Sequence, residues 1–220
     1  MDVDSSDSLP ARIAAALAEQ IIRGDLRPGA RVRQEAIADE FNASHVPVRE
    51  AFRRLEARGL LVSRERKGVY VPVLDQASII EITRMRTALE VLALRYAIPN
   101  LTQDDITCAE DAMHKGNTAR DISTWEAANR EFHASIYRPC QMPRLLSHID
   151  ALHEARLRYM YATSTLIEWD VKSENEHLEI LEAIKAKDGR SACALMEKHI
   201  DDAGCILVDA VGSLHTQPDE

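Results

Sequence analysis

Helical periodicity runs through nearly the whole 220-residue chain and breaks in one place, residues 60–73, where the apolar pattern becomes that of two short strands. What precedes the break makes it constraining. From Leu9 to Arg23, Ile13, Leu17 and Ile21 recur every four residues with Ala14, Ala18 and Ile22 beside them, the stripe of an amphipathic helix closed by the turn from Gly24 to Gly29. A second, short helix fits Gln34 to Phe41, with Ala36, Ile37 and Phe41 facing inward and Asn42 as a left-handed cap. A third begins at once. Ser44 suits its N-cap, Pro47 falls in the first turn where a missing N–H is harmless, and Val48, Ala51, Phe52 and Leu55 keep helical spacing until Gly59. The β-prone runs Leu60–Val62 and Val69–Val73 then flank a charged stretch from Ser63 to Gly68, which predicts a hairpin with a basic tip.

Helix, short helix, tight turn, helix and basic hairpin is the order of a winged helix-turn-helix, whose second paired helix enters the major groove of DNA. After Asp75 the pattern is helical throughout, with segments at 76–98, 103–118, 122–138, 143–163, 170–187 and 189–211. The expected fold is therefore mainly α: a winged helix-turn-helix over 9–74, then an all-helical bundle over 75–213, with a disordered tail from His215 to Glu220. No apolar run approaches the roughly 20 residues of a membrane span, and the acidic opening is unlike a signal peptide, so a cytoplasmic protein is expected. The four cysteines are scattered without a CxxC pair and read as small residues filling helix interfaces.

The net charge of −9 argues against a polyanion partner only until it is divided. Residues 27–74 carry ten basic side chains against six acidic ones, and residues 75–220 carry 15 against 25. A basic head on an acidic body fits a head that binds double-stranded DNA. The third helix offers Ser44, His45, Val46, Pro47 and Arg49 in its first turn and Arg53 one turn on, where base edges and phosphates would be met. Arg33 lies at the start of the second helix, and Arg66 and Gly68 in the hairpin would approach the backbone or minor groove. A merely solvated basic face is the competing reading.

The stretch VPVREAFRRLEARGLLVSRERKGVYV closely resembles the GntR family of bacterial regulators over residues 9–73. That resemblance implies DNA contacts at Ser44, His45, Arg49 and Gly68, and a transcriptional regulator, commonly a repressor, acting as a homodimer on a two-fold operator. His45 stands where arginine is common in the family, which alters the expected operator bases.

In the helical half three histidines fall on apolar stripes: Asn129, Phe132, His133 and Ile136 with Trp125; His177, Leu181 and Ile184; and Ala192, Leu195, His199, Ala203, Ile206 and Ala210. Coordination of a divalent metal would give all three one reason, with the Asn129 amide oxygen one turn before His133 as a further ligand; separate core or surface histidines are the alternative. The motifs MRTALE at 85–90, NREFH at 129–133, EHLEILEAIKAKD at 176–188 and MEKHI at 196–200 resemble the FCD ligand-sensing domain of the FadR-type branch. The resemblance implies a metal held by Asn129, His133, His177 and His199, zinc foremost, with nickel or another transition metal as alternatives. Asn129 stands where aspartate is common, lowering the negative charge of the site.

An open coordination position would take a small carboxylate effector, with Arg86 as its guanidinium partner; a salt bridge to Glu90 is the other reading of Arg86. Six helices resemble the shorter, VanR-like subgroup, for which organic acids are the expected effectors. His114, His148, His153 and His215 fit no pattern and receive no role. Two alternatives remain beside an effector-released repressor: a regulator whose metal is purely structural or absent, and a metal-dependent hydrolase. The second finds little support, since Glu131 and Glu176 belong to no HExxH motif and no catalytic residue is assigned.

Overall fold

The computed structural model describes residues 8–164 and 170–214, except for the side chains at 170–174 and 214. The expected tail from His215 lies outside the described residues. The chain divides into two compact units, one of residues 1–74 with 157–162, the other of 75–156 with 163–220.

The first unit opens with α1 (Leu9–Arg23), whose buried Ile13, Ala14, Leu17, Ala18 and Ile21 form the predicted stripe. Gly24 ends it at φ 86°, a left-handed conformation that costs a residue without Cβ nothing. A two-residue strand β1 (Arg31–Val32) leads into α2 (Gln34–Glu40). Here the expected inward set is corrected: Ala36 is exposed and Ala38 is buried beside Ile37, while Phe41 is half-buried. Seven residues make barely two turns, so periodicity had too few points to fix the face. Asn42 adopts the predicted left-handed conformation, φ 46°, and α3 (His45–Ala57) follows, burying Val48, Ala51, Phe52 and Leu55.

The hairpin is β2 (Val62–Arg64) and β3 (Gly68–Tyr70), paired antiparallel, with β1 on the other side of β3. The strands are displaced from the predicted runs. Leu60, Leu61 and Val71 lie outside them and are buried in the head core instead, so the apolar density that suggested strands serves packing against α1 and α3.

The second unit holds α4 (Gln76–Ala97), α5 (Gln103–Asn117), α6 (Ile122–Tyr137), α8 (Asp170–Lys185), α9 (Gly189–Leu214) and, apart from its residues 157–162, α7 (Pro143–Thr163), the six helices expected. Their starts are set chemically. Asp75, Asp121 and Asp188 accept bonds from the backbone N–H of Ser78, Thr124 and Ser191 at 2.8, 2.9 and 3.0 Å, and Thr102 with Asp105 forms a capping box. The core joins Ala93, Leu94 and Ala97 of α4 to Phe132 and Ile136 of α6, Ile180 and Leu181 of α8, and Met196 and Ile200 of α9. On α9 the buried stripe runs through Met196, Ile200, Gly204 and Leu207, while Leu195, Ala203 and Ile206 are only half-buried. Where α4 and α9 run together, a Cβ on Gly204 would collide with Thr83. Glycine lets these two helices approach.

Candidate functional site

The head presents one polar edge, made where α3 begins. Ser44 occupies the N-cap in extended conformation, yet its hydroxyl makes no capping bond. Capping hydroxyls accept from the second or third helical N–H, and the third position here is Pro47, which has none. His45, Arg49 and Arg53 are exposed beside it, and Val46 is 72% exposed, opposite the buried Val48 and Phe52. Arg54 is drawn aside by Glu50 at 2.7 Å. Arg33 is exposed at the N-cap of α2.

In the wing, Arg64 stacks over the Tyr70 ring at 4.6 Å, and Arg66 projects at φ 59° with its side chain almost wholly in solvent. Gly68, at φ 105°, has a second reason to be glycine. A Cβ there would lie 3.0 Å from Nε of Arg31, which therefore crosses the wing at close range. Sequence reading counted Arg31 only as charge; its place on β1 puts it next to the hairpin.

The second unit builds a polar interior in an apolar bundle. α6, α8 and α9 bring ligand nitrogens of His133, His177 and His199 within 4.8 Å of one another, and all three residues are buried. Phe132 stacks on His177 with ring centroids 4.1 Å apart. Asn129 is buried one turn before His133 on α6. Burial pushes the His133 and His177 imidazoles well below the usual histidine range, so both rings are neutral and offer a lone pair.

Hydrogen bonding decides which nitrogen carries it. Glu90 is fully buried; burial alone would raise its carboxyl, but Arg86 first, then His153, hold it well below the carboxylate range. It is therefore an acceptor. Tyr137 gives its single proton to Glu90 Oε2 at 2.8 Å, and burial together with Glu90 keeps that phenol protonated. Its oxygen can then only accept from His133 Nδ1, 3.1 Å away. The lone pair of His133 thus sits on Nε2, an atom that is buried without a partner. Glu176 does the same for His199, its Oε2 lying 2.7 Å from Nδ1. Carboxylates behind ligating imidazoles, fixing tautomer and orientation, are the usual surroundings of a metal site.

The donor set fits a divalent metal. Imidazole nitrogens suit zinc or nickel, and those of His133, His177 and His199 lie close enough together that one ion could be held by all three.

Arg86 is buried and donates through Nε to Glu90 Oε1 at 2.7 Å, the salt bridge that was its other reading. One expectation needs correction. His153, given no role from sequence, is buried on α7 with Nε2 3.2 Å from Glu90 Oε1 and its ring 5.7 Å from that of His133. Beyond it Arg156 pairs with Glu126 at 2.9 Å, both buried. A signal was available: Ile149, His153, Arg156 and Met160 repeat at helical spacing on α7, placing two polar groups on an inward face.

Comparison with known proteins gives two domains. Residues 9–71 match the model of the bacterial regulatory proteins of the gntR family, and residues 81–202 match that of the FCD domain. The HTH-type transcriptional regulator McbR of Escherichia coli K12 is 33% identical over 82% of this chain and 84% of that protein. A probable D-xylose utilization operon transcriptional repressor of Paenarthrobacter nicotinovorans is 33% identical over 82% and 80%. The solved structure of E. coli McbR/YncC covers 92% of this chain and 98% of that one, with a TM-score of 0.76 and 27% identity.

Proposed function

Because the chain belongs to the GntR family of bacterial regulatory proteins and carries an FCD domain, it is a transcriptional regulator, and we propose that it is a homodimeric repressor released from operator DNA by a small carboxylate bound at a metal in the FCD domain. The relatives are regulators rather than enzymes. Among the described residues no helix is long and apolar enough to cross a membrane.

The first turn of α3 carries the DNA reading. Its uncommitted Ser44 hydroxyl, His45, Val46 and Arg49 face base edges, while Arg53, Arg33 and the wing residues Arg66 and Gly68 meet phosphates. Pro47 shapes that turn and frees the Ser44 hydroxyl. Two such heads related by a two-fold axis match an operator whose half-sites are about one helical turn apart. A relative named as a repressor supports repression as the sign of control.

The observation that carries the sensing half is the convergence of three buried imidazoles, with His133 Nε2 left unpartnered by a relay that fixes its tautomer. His133, His177 and His199 would hold the metal, with the Asn129 amide oxygen as a neutral fourth ligand. Bound there, the metal supplies a cationic anchor for a carboxylate. With Nε committed to Glu90, Arg86 offers its two Nη groups to that carboxylate. Release of DNA then requires the carboxylate to bind the non-binding arrangement more tightly than the DNA-bound one.

Changing His133, His177 and His199 together to Ala should abolish bound metal in the purified protein, measured by elemental analysis. Wild-type metal content in that variant would refute the site.

A further inference from the structure

The helix α7 contributes residues to both units. Residues 143–156 group with the second unit, whereas 157–162 group with the head, and Tyr159 and Met160 of that segment are buried. In sequence the segment belongs to the helical half, far from the winged helix-turn-helix of 9–74. Arg158 shows what the head gains from it. This residue is buried, and its guanidinium donates from Nη1 to the carbonyl of Gly59 at 3.2 Å and from Nη2 to the carbonyl of Pro72 at 3.0 Å. A planar, rigid guanidinium with a carbonyl on each terminal nitrogen fixes how those two carbonyls lie to one another.

The two carbonyls are the two ends of the wing. Arg58 is the C-cap of α3, and Gly59, at φ 69°, turns the chain out of that helix. From there the chain runs through Leu60 and Leu61 into β2, returns along β3 and leaves it through Val71 and Pro72. Arg158 closes this excursion at its base by holding its first and last carbonyls. A winged head places its reading helix in the major groove and its hairpin on the backbone or minor groove, so both engage only when the hairpin leaves the helix at the right angle. Resting on the reading of α3 and the wing given above, we propose that Arg158 is a positioning residue for operator binding, a staple at the base of the wing that lets α3 and the hairpin engage DNA together. The DNA-binding head is then completed by a residue more than 80 positions beyond Leu74.

Operator binding by the full-length protein tests this, through the anisotropy of a labelled, selected operator and hydroxyl-radical footprinting at fixed salt. Arg158→Met keeps an apolar stem and removes both donors. It should weaken operator affinity by roughly three- to a hundredfold, the range for contacts that act as a unit, and lose protection of the DNA under the wing while protection under α3 persists. In its background Arg66→Gln should cost nothing further, because the wing is already disengaged. Arg158→Lys keeps the buried charge but has one nitrogen in place of two, and should show the same split, which guards against a folding failure of the methionine variant. A role in stability alone would lower the melting temperature and leave the affinity and footprint of the folded variants as in wild type. That result, or protections under α3 and the wing that fade together, would overturn the inference. Arg49→Ala and Arg66→Gln in the otherwise wild-type protein separate the two claims. If these weaken binding and the Arg158 variants do not, the reading of α3 and the wing stands and the staple falls; if these bind as wild type does, the reading falls and takes the staple with it.

Discussion

At Glu90 a guanidinium, a phenol and an imidazole converge on one buried carboxylate, and each contact has a separate consequence. Tyr137 transmits the charge of Glu90 to His133, so Tyr137→Phe should lower metal affinity by about 10- to 100-fold, measured by competition with a chromogenic chelator, with little change in folding. His153 carries a pH dependence. Burial holds its pKa below the ordinary value, so the folded protein keeps it neutral where the unfolded chain takes a proton. Its contribution to stability is present above about pH 6.5 and is lost as the pH falls toward the folded value. In metal-stripped protein the melting temperature should therefore fall less steeply below about pH 6.5 in His153→Gln than in wild type; parallel profiles would contradict this. In the head, Arg49→Ala should cost about 1–3 kcal/mol of affinity for a selected operator at fixed salt, and an unchanged affinity would remove α3 as the reading helix.

Elements differed in how much the sequence disclosed. The ends of α1 and α3 and the start of α4 were legible because Gly24, Gly59 and Asp75 are breakers or caps whose chemistry acts locally. β1 was not legible: two residues have no period, and Arg31–Val32 is a strand only because β3 returns to pair with it. On α7 the inward His153 and Arg156 were passed over, since their reason for burial, Glu90 and Glu126, lies on other helices. The same long-range logic sets the contact of α4 with α9. A valine at Gly204 would drive into Thr83, whose Cβ belongs to a stiff β-branched side chain, so Gly204→Val should destabilise the second unit by about 1–3 kcal/mol in urea unfolding. No loss would mean that the two helices part without cost.

For the whole molecule, the division of charge matters more than its sum. A head carrying the basic excess of an acidic chain should bind DNA with a steep salt dependence, and Arg66→Gln should reduce the slope of log affinity against log salt by about 1 without changing the selected sequence. The three-histidine convergence was legible as spacing on three separate stripes, but its tautomers, its relay through Tyr137 and the occupation of Arg86 by Glu90 belong to the assembled bundle. The central claim is that this interior controls the head. Its most direct measurement is the fluorescence anisotropy of a labelled, selected operator, titrated at fixed salt with metal-loaded protein across a panel of small carboxylates. Wild type should lose operator affinity by tenfold or more, about 1.4 kcal/mol, with at least one of them, and the triple alanine variant of His133, His177 and His199 should bind the operator without responding. An affinity unmoved by every carboxylate, or a variant that responds as wild type does, would contradict the account.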